Sequence, residues 1–137
     1  PVLAVPKNAI YNGIKKMAYG TNCKNDDFET INKFIDVARL FESQVSIIHI
    51  ENKKEDEDDL IEWFEMEAKK KIIYPKLGFR MFMGEDLFSE FNAYLADHHY
   101  DILGLHKRTP SFFESIFKPS LTKQFAFHSD IPLLVYK

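Results

Sequence analysis

Short apolar runs and helical hydrophobic stripes alternate along this chain. Five apolar runs predict β-strands at residues 14–20, 44–50, 77–83, 101–106 and 131–137. The segments between them carry apolar residues three and four positions apart, as in Phe28, Ile31, Ile35 and Ala38, which predicts amphipathic helices. This alternation is typical of an α/β fold with an open, five-stranded parallel sheet and helices on both faces, connected by right-handed crossovers.

Four helices are predicted, and the second has a marked charge asymmetry. Its acidic block, Glu55 to Asp59, precedes the apolar stripe, and Lys69 to Lys71 close the segment. This order complements the helix macrodipole. A calcium loop would need alternating ligands around a glycine, which this block lacks, so we favour a solvated helix over a metal site. The fourth helix starts at Pro119, where a first helical turn tolerates proline.

The chain opens on "PVLAVPK" and closes on "IPLLVYK", two similar strand-like phrases. Proline is tolerated where a strand begins. One interpretation is that residues 1–12 are the last strand of a preceding domain plus a linker, and that 13–137 form the domain proper. The other is chance similarity between two short apolar strings. Because the first residue is Pro1 rather than Met, we expect that other residues preceded it.

Composition limits the classes of partner and compartment. A chain of 137 residues suits one domain, and its formal net charge of -3 offers no general attraction to nucleic acid or to an anionic membrane. No apolar run approaches the roughly 20 residues that cross a bilayer. Cys23 is the only cysteine, so an internal disulfide is impossible and a reducing cytoplasm fits best.

The carboxyl ends of parallel strands form one edge of the sheet, and the usable crevice of such folds lies beyond them. Here that edge should bring together Gly20, Asn22, Ile50, Gly84 and the loop that follows Leu105. This edge is the first candidate binding site.

Residues 101–137, "DILGLHKRTPSFFESIFKPSLTKQFAFHSDIPLLVYK", resemble the C-terminal signature of the universal stress protein family. The segment "SFFESIF" is similar to the loop of tandem members, and "MAYGTN" and "IIHI" resemble the family's first two strands. The resemblance implies a doubly wound, Rossmann-like fold of the adenine-nucleotide-hydrolase type. It also implies the C-terminal domain of a tandem-type member, with "PVLAVPK" as the last strand of the preceding copy.

The resemblance further implies a partner. Domains of this family dock through the last strand, antiparallel and about a two-fold axis. The pairing strand here would be Pro132, Leu133, Leu134, Val135 and Tyr136. An uncovered strand of this kind presents unpaired backbone groups, so we expect pairing with a second copy in a homodimer or with the preceding domain of a tandem chain.

Nucleotide-binding members carry a loop of Gly, two residues, Gly, nine residues, Gly and then Ser or Thr. The corresponding residues here are His106, Thr109, Pro119 and Ser120, so all three glycines are replaced. Side chains at the first two positions obstruct close approach of phosphate to the backbone, and Pro119 has no N–H to donate. Asn22 stands where the family has an acid that receives the nucleoside. We therefore predict a non-catalytic stress-response domain with no cofactor and without the family's usual ATP binding.

The alternative is a member that binds ATP or AMP, or hydrolyses ATP weakly, by another geometry. Ser120 and Thr122 keep their hydroxyls, the N–H groups of Ser120 and Leu121 still open a helix, and nearby lysines and Arg108 are basic. The other interpretation is that these basic side chains are simply exposed to water and bind no anion. The full set of candidate nucleotide or anion contacts is Gly20, Asn22, Ile50, Gly84, Leu105, His106, Arg108, Thr109, Ser120, Leu121 and Thr122.

Other chemistry finds little support in the sequence. His98 and His99 are helical neighbours about 100° apart and would not converge on one metal ion. His49 and His128 lie in apolar stretches, where a packing role is commoner than ligation. The serines lack a glycine-flanked elbow and Cys23 has no evident partner, so no catalytic set can be assembled.

Overall fold

A computed structural model of the chain describes residues 1–21, 23, 27–52, 58–107 and 129–137. Three helices and six strands form in these segments. The strands are β1 (Val2–Ala4), β2 (Lys16–Thr21), β3 (Gln44–Asn52), β4 (Leu77–Gly84), β5 (Ile102–His106) and β6 (Leu133–Tyr136). The helices are α1 (Asp27–Phe41), α2 (Asp58–Lys71) and α3 (Leu87–Asp97). The predicted fourth helix lies outside the described residues.

One sheet contains all six strands in the order β1-β6-β5-β2-β3-β4. The five strands β2 to β6 are parallel, which confirms the predicted doubly wound α/β fold. The strand count is six rather than five, because β1 adds to the outer edge of β6 in the antiparallel sense, with Leu3 opposite Leu134. The opening phrase of the chain therefore pairs with the closing phrase.

The boundaries of the five predicted strands differ from the prediction by at most two residues. β2 begins at Lys16 rather than residue 14 and continues one residue past Gly20 to Thr21. Asp101, predicted to begin a strand, lies just before β5, and its carboxylate accepts the backbone N–H groups of Lys15 and Lys16 at 2.8 and 2.9 Å. A side chain therefore aligns the amino ends of β2 and β5.

The period-two alternation of the strands separates two apolar clusters. On one face, Met17, Tyr19, Val45 and Ile47 pack with the buried residues of α1 and α2. On the other face, Ala18, Ile48, Ile50, Leu103 and Leu105 pack with Phe91 and Leu95 of α3. Both faces of the sheet are buried, as expected for parallel strands read as continuous apolar runs.

Helices α1 and α3 end in the same way. In α1 the N–H of Ser43 donates to Ala38 and that of Glu42 to Arg39, with Glu42 at φ 53°. The N–H groups of Tyr100 and His99 repeat this pattern at the end of α3, with His99 at φ 57°. These are Schellman motifs with a left-handed residue other than glycine, and they turn the chain directly into β3 and β5.

Candidate functional site

The sheet reverses its direction of winding between β2 and β5. Successive strands continue outward from β2 through β3 to β4, whereas β5 and β6 lie on the opposite side of β2. In open α/β sheets a ligand crevice forms at this point, outside the carboxyl ends of the two strands. The side chains at these ends therefore define the candidate site.

A buried hydrogen-bonded group joins the two strands across this point. Thr21, the last residue of β2, donates its hydroxyl to Asp27 Oδ2 at 2.7 Å, and the other carboxylate oxygen of Asp27 lies 3.2 Å from His106 Nδ1. Thr21 Oγ1 also accepts the backbone N–H of Cys23 at 3.0 Å. We call Thr21, Asp27 and His106 the switch-point triad. It connects the end of β2, the first residue of α1 and the end of β5.

The triad is largely withdrawn from solvent. The side chain of Asp27 is 5% exposed and that of His106 is 16% exposed, so water screens their interaction weakly. A carboxylate beside an imidazole orients the ring. The hydroxyl of Thr21 donates to the carboxylate and the ring of His106 contacts the other carboxylate oxygen, so among the described residues Asp27 links the ends of β2 and β5 to the start of α1.

Two buried tyrosines extend the polar region beneath the triad. Tyr136 is the register partner of His106, and Tyr19 precedes Thr21 by two residues on the same face. Within the described chain neither phenol oxygen has a hydrogen-bond partner. Burial raises the pKa of Tyr19, and the nearby Asp27 adds to the shift. Burial likewise raises the pKa of Tyr136 to about 12, and both phenols are therefore neutral at physiological pH.

A second polar group lies in the carboxyl-terminal half of β3. His49 and Glu51 point to the α1 and α2 face and are buried, with His49 Nε2 3.7 Å from Glu51 Oε2. His49 lines a cavity of about 80 Å³ between α2 and the strands β3 and β4. Its other lining residues are Cys23, Ile47, Ile61, Phe64, Glu65, Phe79, Arg80 and Met81. Of the predicted nucleotide contacts that lie in the described part of the chain, none lines this cavity.

The structure places the predicted contact residues unevenly. Gly20, Ile50, Gly84, Leu105 and His106 lie at or near the carboxyl ends of their strands, on one edge of the sheet. However, Ile50 and Leu105 pack into the cluster under α3, whereas His106 faces α1 and bonds to Asp27. The remaining predicted contacts are Asn22, Arg108, Thr109, Ser120, Leu121 and Thr122, and these lie outside the described residues.

Sequence reasoning overlooked Asp27 and Thr21 and assigned His49 a packing role only. Asp27 follows a polar loop and opens a helix, which is the ordinary place for an acidic residue. Its second role depends on His106, 79 residues later in the chain. The period-two position of His49 and Glu51, on the same face as Ile47, was the one available signal that both are buried.

The described residues lack two further kinds of site. No three of their His, Cys, Asp or Glu side chains form a group that could hold a metal ion. In the same segments, none of the helices combines the length and apolar character needed to cross a bilayer.

Comparisons with known proteins bear on the fold. No family model matches the sequence, and no curated protein matches it. Among solved structures, the chain is similar to a universal stress protein in complex with cAMP, with a TM-score of 0.63 and 10% identity. The match covers 90% of this chain and 97% of that one. The chain therefore has the Rossmann-like α/β fold found in a universal stress protein.

Proposed function

We propose that this chain is a non-catalytic stress-response domain, the C-terminal half of a tandem universal stress protein, which pairs through its last strand and lacks the family's usual ATP binding. A single observation carries the proposal: the contact between His106 and Asp27 spans the switch point, where a nucleotide would enter. The cytoplasm is the proposed compartment, since the chain has one cysteine, Cys23, which is buried, and therefore no internal disulfide.

The switch-point triad supports the proposal, because its side chains occupy the crevice in which a nucleotide would bind. His106 occupies the first glycine position of the family's nucleotide loop, and its ring reaches across to α1 instead of leaving backbone exposed. The carboxylate of Asp27 could accept a hydrogen bond from a ribose hydroxyl. However, its two oxygens already interact with the hydroxyl of Thr21 and the ring of His106. A ligand that entered here would have to break both interactions, and an unpaired buried carboxylate is costly.

The β1–β6 pair supports a role in domain pairing. β1 is the only antiparallel strand of the described sheet, and its sense relative to β6 is the one that two last strands adopt about a two-fold axis. Leu134 is 9% exposed, whereas Leu3, opposite it, is 54% exposed. A preceding domain packed on this side would bury Val2 and Leu3, which β1 leaves in water.

The alternative function is adenine-nucleotide binding. It is favoured by the similar universal stress protein, which was solved with cAMP and whose length this chain matches almost completely. Ser120, Leu121 and Thr122 are the residues of this chain that would hold a phosphate. Opening the triad would be the first step of such binding.

Titration calorimetry with Mg-ATP and with cAMP separates the two functions. The proposal expects no saturable binding up to ~1 mM ligand, equivalent to less than about 4 kcal/mol of binding free energy. Micromolar affinity that Ser120→Ala together with Thr122→Val removes would establish the alternative. Binding retained in that double variant would show a nucleotide site that does not use Ser120 and Thr122, and the proposed lack of nucleotide binding would be wrong in that case also.

The pairing is tested by cysteine crosslinking in a Cys23→Ser background. Val2 and Val135 are register partners, so Val2→Cys with Val135→Cys should give a disulfide within one chain. Val5→Cys with Val135→Cys is the control, since Val5 lies beyond β1. The tandem arrangement is tested by the residues encoded before Pro1, which should form another strand and helix alternation of similar length. An unrelated preceding segment would contradict it.

A further inference from the structure

The sheet has two outer strands with very different properties. β1 has three residues, with Pro6 two positions after it, whereas β4 has eight residues. All eight residues of β4 pair with β3 in continuous register, so the strand contains no bulge. Among the described strands, only β3 hydrogen-bonds to β4. A long, regular edge strand without proline is the kind of surface to which another strand adds.

The side chains of β4 also lack the usual protection against such pairing. Edge strands are commonly blocked by several charged residues, but Arg80 is the only charged residue of β4. Met81 and Met83 are 46% and 53% exposed. Methionine is flexible and polarisable, and it adapts well to a surface that is buried on association.

From these features we propose that β4 pairs antiparallel with β4 of a second copy of this chain, about a two-fold axis at Met81. An antiparallel pair must keep side chains of one face opposite each other, so the axis passes through a residue position. An axis at Arg80 would put two guanidinium groups in contact. An axis at Met81 places Met81 opposite Met81, Arg80 opposite Phe82 and Phe79 opposite Met83, which gives apolar and cation–π pairs.

The charges of α2 are complementary under the same axis. A two-fold axis perpendicular to the sheet keeps the two α2 helices on one face and makes them antiparallel. Glu65 lines the cavity together with Met81, so the middle of α2 lies near the axis. Glu62 and Lys69 are three residues before and four residues after Glu65, on neighbouring parts of the helix surface. Glu62 of each copy therefore faces Lys69 of the other, and the two contacts form an isologous interface.

Sedimentation equilibrium of the full chain tests the association. From ~1 to ~200 µM, a range that includes micromolar dissociation constants, we expect a species of twice the 16.1 kDa monomer mass. Met81→Lys places two ammonium groups opposite each other and should raise the dissociation constant roughly tenfold or more. The matched control is Leu40→Lys on α1, since Leu40 is 79% exposed, belongs to neither apolar cluster, and lies on a helix that packs mainly on β2, β3 and β5, away from the β4 edge. The control should associate like the wild type, and circular dichroism checks that both variants fold.

Disulfide formation tests the register without relying on a disruptive charge. In a Cys23→Ser background, Met81→Cys should crosslink two chains, because directly opposed residues are about 5 Å apart between Cα atoms. Met83→Cys should not, because the two copies of residue 83 would lie about 13 Å apart along the strands. A monomeric wild type, a dimer unaffected by Met81→Lys, or equal crosslinking at both positions would each overturn the proposal. These measurements involve neither nucleotide nor the β1–β6 pair, so they are independent of the proposed function.

Discussion

Gly104 lies where β5 passes beneath α1, and we expect that a single methyl group there will destabilise the domain. A Cβ on Gly104 would lie 2.5 Å from Cε2 and 2.7 Å from Cδ2 of Phe34. Phe34 is fully buried, and its ring centroid is 5.4 Å from that of Tyr19. The ring therefore cannot move away without displacing the residues that support the switch point.

The size of the effect follows from this overlap. Overpacking a well-filled core costs about 1–3 kcal/mol, and we expect ~2 kcal/mol for Gly104→Ala because the overlap involves two ring atoms. For a chain of this length that corresponds to a fall in Tm of about 8 °C. Urea unfolding followed by circular dichroism should show a midpoint lower by roughly 1 M, for a slope near 2 kcal/mol/M.

Two further variants make this prediction specific to the Phe34 contact. Gly78→Ala in β4 is the matched control, since its nearest contact would be Arg80 Nη1 at 3.8 Å. Phe34→Leu removes the ring, so the double variant with Gly104→Ala should be more stable than the two separate effects predict, by ~1 kcal/mol or more. The steric argument is refuted if Gly104→Ala and Gly78→Ala unfold at the same urea concentration. It is also refuted if the effects of Gly104→Ala and Phe34→Leu on the free energy of unfolding are simply additive.

Substitutions at the switch point should affect stability to different extents. Asp27→Ala leaves Thr21 and His106 without their carboxylate and should lower the free energy of unfolding in urea by about 3 kcal/mol. Glu29→Ala, the control, loses an exposed ion pair with Lys33 and should change that free energy little. Equal effects of the two variants would contradict a stabilising role for the buried carboxylate. Tyr136→Phe should be nearly neutral at pH 7, since the phenol has no described partner. Because the folded-state pKa of Tyr136 is raised to about 12, wild-type stability should fall as pH rises from about 10 through 12. The phenylalanine variant should lose less over that window, and identical losses would show that Tyr136 does not contribute.

The spacing of apolar residues determined most of the architecture. Strand and helix periods differ, and each predicted strand was found within two residues of its expected ends. Strands such as 44–50 carry apolar residues on both sides, so neither side of the strand is suited to contact with water. This pattern predicts that both faces of the sheet are buried. Even the terminal repeat contained structural information, since both copies of the phrase form strands.

The site depended on contacts that no local pattern records. In the sequence, Asp27 is an ordinary acidic residue in the first turn of a helix, and His106 stands where the resemblance to universal stress proteins leads us to expect a glycine. They meet because β2 and β5 are neighbours in the sheet although they are far apart in the chain. Likewise, β1 could have paired with any chain, and only the tertiary structure places it on β6. Local periodicity is set by each segment's own need to bury apolar surface, whereas the crevice and the sheet edges are decided by which segments become neighbours on folding.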